Sequence, residues 1–527
     1  MAPSWLSSYR KAQPRLVIDM ALEKHPVHPD ASFDGGDLDC GSGLLLLIRR
    51  HIDPLAIGQT LEILSTDATV KVDLPAWCRM TANELVSVES RDGQQISYLV
   101  SKGQFTGETQ PIIAAAAPVL RPVLLHEPRQ RPIVEAPTIA PLSVMGLGSW
   151  PRPRWMLRAI HDRMSGRMAE DEFQAIADDA VRLSVEAQLR AGADVVTDGE
   201  QRRDSYASFV GGILDNCQLI PLTDLLPYVS DPVKFEKELR ALDIPAHEVR
   251  HPAVFGRIGR SRPLALHELD FARSLTDKPV KVALPGPYLL TRTMWMECLS
   301  DRAYASREEL AKDIIAVLRA ELAELINAGA ALVQFDEPVL SEVVFARAKP
   351  GSSGRSFMCG ALGEKKPIDE ELEFARELIN AVVADVAPER TALHVCRGNW
   401  TTDESVALAG DYRPLLPLFQ QLKVGTLMLE LATPRAGEIE VLGEIPEVMR
   451  IGVGVVNQKH ERIESVAEIL EKAERAIALF GAQRVLLNPD CGFATFADNP
   501  VTSSQIAEGK LKAIAQAAAN LRERHAM

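Results

Sequence analysis

Residues 391–400 read TALHVCRGNW. If Thr391 to Cys396 is a β-strand, His394 and Cys396 project from the same face, because strand side chains alternate with period two. An imidazole and a thiol on one face are half of a zinc site. The other half has to come from other parts of the chain.

Outward from this run, the sequence after about residue 142 keeps one rhythm. Short β-rich runs end in Gly, Asp, Glu, Asn or Pro: SVMGLGSW (143–150), ADVVTDGE (193–200), KVALPGP (281–287), ALVQFDEP (331–338), TALHVCRGN (391–399), TLMLELA (426–432), RIGVGVVN (450–457) and RVLLNPDCGF (484–493). Between them lie amphipathic stretches such as SREELAKDIIAVLRAELAELINAGA and SVAEILEKAERAIALFGAQ, with apolar residues at three- and four-residue spacing. Strands alternating with crossover helices in this number predict an α/β fold, a (β/α)8 TIM barrel. A doubly wound open sheet is the structural alternative.

The chain has 527 residues, more than one core usually supports. Residues 104–141 carry seven prolines and an alanine run, a texture that resists long helices and regular strands. We read this stretch as a linker between a small domain, residues 1–103 with a core of about 30–103, and a large one, residues 142–527. A net charge of −14 argues against nucleic acid or an anionic membrane as partner. The apolar run around Gly43 to Ile48 is far shorter than the roughly 18 residues of a membrane helix. MAPSWLSSYRKAQPRL has no signal-peptide pattern, and an odd count of seven cysteines reads as thiols in a reducing cytoplasm. The expectation is a cytoplasmic protein. The function of residues 1–30 stays open.

In a barrel of this kind the working residues lie at the carboxyl ends of the strands. Glu430 stands inside the otherwise apolar LMLELA, where a lone carboxylate is costly to bury unless paired or metal-bound. Cys491 falls in the turn after an apolar strand, in NPDCGF. With His394 and Cys396 these residues make an NS2O donor set suited to tetrahedral zinc. One buried cysteine by itself is more often an inert small hydrophobe. Four suitable donors at the ends of strands five, six and eight outweigh that alternative. Cys78, Cys217, Cys298 and Cys359 lack such context and read as structural.

LHVCRGNW, LMLEL, GVGVVNQK and LLNPDCGF, with VQFDEP and VVTDGE upstream, resemble the catalytic barrel of cobalamin-independent methionine synthase and its short, single-barrel relatives. The resemblance covers about residues 140 to 525. It implies a barrel of the methionine-synthase and uroporphyrinogen-decarboxylase type, whose Zn2+ binds and activates a thiol that then accepts a methyl group. The family's zinc ligands fall on His394, Cys396, Glu430 and Cys491. Its amino-acid contacts fall on Ser149, Glu200 and Asp336: a hydroxyl for a carboxylate and two acids for an ammonium. The plain alternatives are a helix N-cap for Ser149 and structural ion pairs for the acids. The chemical reason for zinc is acidity, since a free thiol with a pKa near 8.5 is mostly protonated at neutral pH.

Two features depart from the family. Full-length members carry another barrel in front, which contributes to folate binding, and this chain has only a small unit there. After strand seven the family has an Asp-x-His pair that assists proton delivery, whereas this sequence reads Asn457-Gln458-Lys459. Lys459 can donate a proton if burial lowers its pKa, or pair with an anionic substrate. Relatives of this barrel include enzymes that alkylate coenzyme M with epoxides. The methyl donor therefore stays open between a folate, a methylated corrinoid (free or protein-bound) and a methylated sulfur compound.

The small unit reads strand, helix, strand, helix, two strands, and resembles a TusA-type sulfur carrier. Cys40, in the frame Asp34-x-x-Asp37-Leu38-x-Cys40, matches the cysteine that carries a persulfide, although Gly41 and Gly43 replace the carriers' prolines. A cysteine at a helix N-terminus is expected to have a lowered pKa. The plain alternative is a degenerate docking module.

Three functions follow from the sequence. The leading one is a zinc-dependent methyltransferase acting on a small, homocysteine-like thiol, in methionine biosynthesis. The second is alkyl or sulfur-group transfer involving another thiol, coenzyme M-like or a persulfide on Cys40. The third is a non-catalytic sulfur-carrier or scaffold protein. A corrinoid protein and a sulfur-transfer protein are the protein partners these readings admit.

Overall fold

The structure is a computed structural model that describes residues 25–91, 95–107, 132–164, 166–221, 224, 250–296, 303–345, 366–399, 402–404, 407–496 and 499–527. Cys298, Cys359, residues 1–24 and much of the linker reading (108–131) lie outside the described residues. The chain divides into two compact units, Met1–Val119 and Leu120–Met527.

The small unit follows the expected order. β1 (Ala31–Asp34), a helix Leu45–Ile52, β2 (Thr60–Ser65), a helix Val70–Met80, β3 (Glu84–Ser90) and β4 (Ile96–Ser101) build a sheet of order β1-β2-β4-β3. β1 and β2 pair parallel, and the other pairs are antiparallel. Ile48 from the first helix and Leu74 and Trp77 from the second bury against Leu61, Ile63, Tyr98 and Val100 of the sheet. This apolar seam holds helices to strands by the area it removes from water.

The environment of Cys40 corrects one expectation. Gly43 sits at φ 125°, which interrupts the helical path, and the α-helix proper begins only at Leu45. Cys40 therefore does not occupy the first turn of that helix, and it is buried. Burial, and after it the carboxylates of Asp73, Asp39 and Asp67, pushes its thiol up to about 12. Cys40 opens a short helical turn, Cys40–Leu44, ahead of that helix, and its thiol is raised rather than lowered.

In the large unit a hairpin of β5 (Asp215–Pro221) and β6 (Arg250–Gly259) precedes the main sheet. β7 (Lys281–Pro285), β8 (Leu332–Asp336), β9 (Thr391–Val395), β10 (Thr426–Leu429), β11 (Arg450–Val456) and β12 (Val485–Pro489) then pair in sequence order, all parallel. Parallel bridges from Val144 to Leu487, Met145 to Val195 and Val196 to Val280 carry the ring from β12 back to β7. The runs 143–150 and 193–200 thus take the first two strand positions of a (β/α)8 barrel. They are bridges rather than ladders because side chains intercept backbone groups. Asp194 Oδ2 accepts from the Val144 N–H at 2.9 Å, and Gln188 Oε1 accepts from the Thr197 N–H at 2.9 Å.

The crossover helices start where the sequence places them. Ser306 caps Arg307–Asn327 by accepting from the Glu309 N–H, and Ser465 and Glu468 form a reciprocal capping box at the start of Val466–Phe480. Among the described residues no helix is long and apolar enough to cross a membrane.

Candidate metal centre and substrate pocket

β9 is buried throughout and lies between β8 and β10. Its register sets Asp336, the last residue of β8, directly beside His394. The imidazole Nδ1 is 2.9 Å from Asp336 Oδ1. A carboxylate only accepts, so Nδ1 carries the hydrogen, and in the neutral ring that a metal requires Nε2 is the nitrogen that presents its lone pair. That Nε2 is buried and has no hydrogen-bond partner among the described residues.

Cys396 follows β9 and Cys491 follows β12, and their sulfurs are 3.7 Å apart. The donor atoms of His394, Cys396 and Cys491 all lie within 4.8 Å of one another. The thiol–thiol hydrogen bond drives the pair apart in acidity: Cys396 falls well below the ordinary thiol range and Cys491 rises well above it. Burial opposes a charge on His394, but Cys396 and Asp336 outweigh it and push the imidazole up to about 10.

Glu430 stands outside this trio. It follows β10 and is buried, and its Oε2 accepts from the Arg397 N–H at 2.7 Å. Its Oε1 is 2.7 Å from Arg435 Nη2, close as an ion pair but not aligned as a hydrogen bond. Arg397 stacks over the Tyr412 ring, 4.1 Å from its centroid, and donates to the carbonyls of Gly410 and Ala436, which fixes the loops around Glu430.

The trio opens onto a pocket lined also by Ser149, Glu200, Asp336 and Asn399. Glu200 is buried at φ +54°, a conformation a non-glycine residue adopts only when its surroundings impose it. Arg152 imposes it by donating to the Glu200 and Arg203 carbonyls at 2.5 and 2.7 Å. Burial pushes the Glu200 carboxyl up to about 7, against the pull of Arg203. A Cβ on Gly148 would lie 2.1 Å from Glu200 Oε1, so glycine is what lets this carboxyl in. Ser149 Oγ accepts from the Ala494 N–H at 3.3 Å, joining the first and last strand ends.

Asn457 and Lys459 do not line this pocket. Asn457 Oδ1 accepts from the Lys459 N–H at 2.9 Å, and its amide donates to Glu404. Lys459 is buried, and burial lowers its ammonium below the ordinary lysine range while Glu430 opposes the shift. Two polar links escape the sequence reading. Gln458 donates to Asn399 at 2.5 Å, which donates to the Gly492 carbonyl at 2.7 Å. His460 Nε2 lies 2.7 Å from Glu404 Oε1, directly after the Asn-Gln-Lys stretch. The only sequence signal for the latter was a histidine one position past the place where the family motif puts it. Cys78 is buried in the small core, and Cys217 lies in β5.

A parallel (β/α)8 barrel with imidazole, thiols and carboxylates gathered at the carboxyl ends of its strands defines a barrel enzyme class. The family described as "Cobalamin-independent synthase, Catalytic domain" matches residues 142–519, and "Sulfurtransferase TusA" matches residues 43–102, starting beyond Cys40. The chain belongs to the cobalamin-independent methionine synthase family of methyltransferases, with a TusA domain in front. The methionine synthase of Sulfolobus acidocaldarius is 28% identical over 67% of this chain and 86% of its own length. That of Saccharolobus solfataricus is 25% identical over 72% and 94%. Among solved structures, a B12-independent methionine synthase from Shewanella sp. W3-18-1, in complex with selenomethionine, superposes with a TM-score of 0.55 at 23% identity. It covers 73% of this chain and 99% of its own. A putative vitamin-B12-independent methionine synthase from Listeria monocytogenes gives 0.51 at 19% identity over the same shares. At these identities the two structures bear on the fold alone.

Proposed function

We propose that this chain is a cytoplasmic, zinc-dependent methyltransferase that methylates the thiol of a homocysteine-like amino acid. The reading keeps residues 1–103 as a small domain, 104–141 as linker and 142–527 as the catalytic barrel. The observation that carries it is the clustering of the donor atoms of His394, Cys396 and Cys491 within 4.8 Å, with a His394 Nε2 that is buried and unpartnered among the described residues. That donor set fits zinc, and an unpaired buried nitrogen is otherwise costly. Glu430 is the fourth residue the donor chemistry calls on, in exchange for its contact with Arg435.

Zinc held there supplies acidity, keeping a substrate thiol deprotonated and nucleophilic at neutral pH. The chain's own residues do the rest. Asp336 holds the Nδ1 hydrogen of His394 and so fixes which nitrogen is free. Glu200 and Asp336 take the substrate ammonium, and the Ser149 hydroxyl, already accepting from Ala494, donates to its carboxylate. Held this way, the sulfur attacks the methyl carbon in line. The C–S bond forms as the bond to the donor breaks, and the donor leaves with the electron pair. Lys459 is the candidate proton source for that leaving group, because burial makes its ammonium a better acid.

Lys459 in place of the family's histidine favours, as a second reading, alkylation of an anionic thiol of the coenzyme M type. The purified protein should be assayed for zinc, then with homocysteine and a coenzyme M-like thiol against folate, corrinoid and methylated-sulfur donors. Methylation of homocysteine supports the first reading. Alkylation of the other thiol alone supports the second, and a metal-free protein that alkylates neither supports a carrier or scaffold.

A further inference from the structure

Beneath the pocket, a lysine is buried inside the barrel without a carboxylate in ion-pair contact among the described residues. Lys281, at the start of β7, is 1% exposed. Its Nζ donates to Gln334 Oε1 at 2.5 Å. An ammonium placed against a neutral amide is expensive, and burial brings Lys281 down to about 7 against the opposing charges of Asp336 and Glu200.

The amide explains its placement. Gln334 Nε2 donates to Asp336 Oδ1 at 2.7 Å and to the Leu147 carbonyl at 2.7 Å. All three contacts hold in one orientation only. Turned over, the amide would set its oxygen against a carboxylate and a carbonyl, and its NH2 against an ammonium. Lys281 locks the orientation. Asp336 Oδ1 then receives from Gln334 and from His394 Nδ1, while its other oxygen takes no hydrogen bond among the described residues. Lys281, Gln334 and Asp336 are at most 6% exposed and His394 is 4% exposed, so the links are buried.

We propose that Lys281 and Gln334 are positioning residues for the metal centre: they orient the Asp336 carboxylate so that His394 keeps its hydrogen on Nδ1 and its lone pair on Nε2. The inference rests on the zinc reading above. It also divides the labour of Asp336, with one oxygen for the histidine and one for the substrate ammonium.

The test is zinc affinity, measured by competition with a chromophoric chelator on the full chain, with thermal unfolding measured in parallel. Gln334→Glu gives Lys281 a carboxylate to pair with but removes the donor to Asp336. A purely structural role leaves zinc affinity unchanged in this variant. The positioning role weakens it roughly 10- to 100-fold, the range for losing such outer contacts. Lys281→Met, close in volume, should weaken zinc by a similar factor, and the effect should vanish in an Asp336→Asn background. Equal zinc affinity in wild type, Gln334→Glu and Lys281→Met, with all three folded, overturns the inference and leaves the zinc reading intact. A wild-type protein that binds no zinc overturns the zinc reading itself.

Discussion

The sulfurs of Cys396 and Cys491 lie 3.7 Å apart although 95 residues of chain separate them. Strands β9 and β12 are not neighbours in the sheet, so the contact is made across the mouth of the barrel. Two thiols held that close are either joint metal ligands or a latent disulfide. The two fates exclude each other.

Removing zinc should therefore expose the pair to oxidation. Chelator-treated protein given mild oxidant is expected to form a Cys396–Cys491 disulfide, detected by peptide mass spectrometry, and zinc-loaded protein is expected to resist. Equal oxidation with and without zinc would show that no metal occupies the pair.

Replacing Cys491 with serine should remove the metal without unfolding the barrel, since Cys491 is a loop residue outside the apolar core. Zinc content is expected to fall to background and methyl transfer with it, while the thermal midpoint stays within a few degrees of the metal-free wild type. Full activity in Cys491→Ser would remove this residue from the chemistry.

Glu200 sets a pH dependence. Its carboxyl is raised from 4.5 to about 7, so the free protein keeps it protonated at mildly acidic pH. Ammonium binding needs the carboxylate. On this reading kcat/KM for the amino acid rises as pH climbs through about 7, and Glu200→Gln flattens that inflexion while lowering kcat/KM by roughly 10- to 100-fold. The same shift acts oppositely on stability. The folded state holds this proton more tightly, a contribution fully present below pH 4.5 and lost as pH rises through about 7. An unchanged profile in Glu200→Gln assigns the titration to another group.

Gly148→Ala brings a methyl to 2.1 Å of Glu200 Oε1 and should push the carboxyl out of the pocket. The expected cost in kcat/KM is roughly 10- to 100-fold, with zinc content unchanged. Loss of zinc in this variant would mean that the strand, not the carboxyl, has moved.

The raised pKa of Cys40, about 12, makes it a poor nucleophile in the folded protein. Iodoacetamide at pH 8 should label it slowly in native protein and fast after unfolding. Rapid native labelling would restore the activated-cysteine reading.

Much of this architecture is legible in the sequence where chemistry is local. Ser465 and Glu468 announce a capping box three residues apart, and the strand-end polar residues stand out against apolar runs. His394 and Cys396 share a face by alternation alone. What was not legible depends on register and long-range approach. Asp336 meets His394 because β8 and β9 pair at that offset, and Gln334 inside VQFDEP reads as an ordinary strand residue until Lys281 appears beneath it. The contacts of Arg435 and Arg397 with Glu430 come from loops whose course no motif fixes. DNCQLIP, in β5, lacks clean alternation and ends in proline, so the β5–β6 hairpin left no clear signal. Cys40 does open a helical segment, kinked at Gly43, but the lowered thiol pKa expected of it was not legible because burial and the nearby carboxylates outweigh the helix start.

X-ray absorption at the zinc edge of the purified protein tests the central claim most directly. The account predicts a single zinc per chain with the sulfurs of Cys396 and Cys491 at about 2.3 Å and an imidazole in the same shell, all lost on Cys396→Ser. A zinc shell built only of oxygen and nitrogen, or a purified protein without tightly held metal, would contradict it.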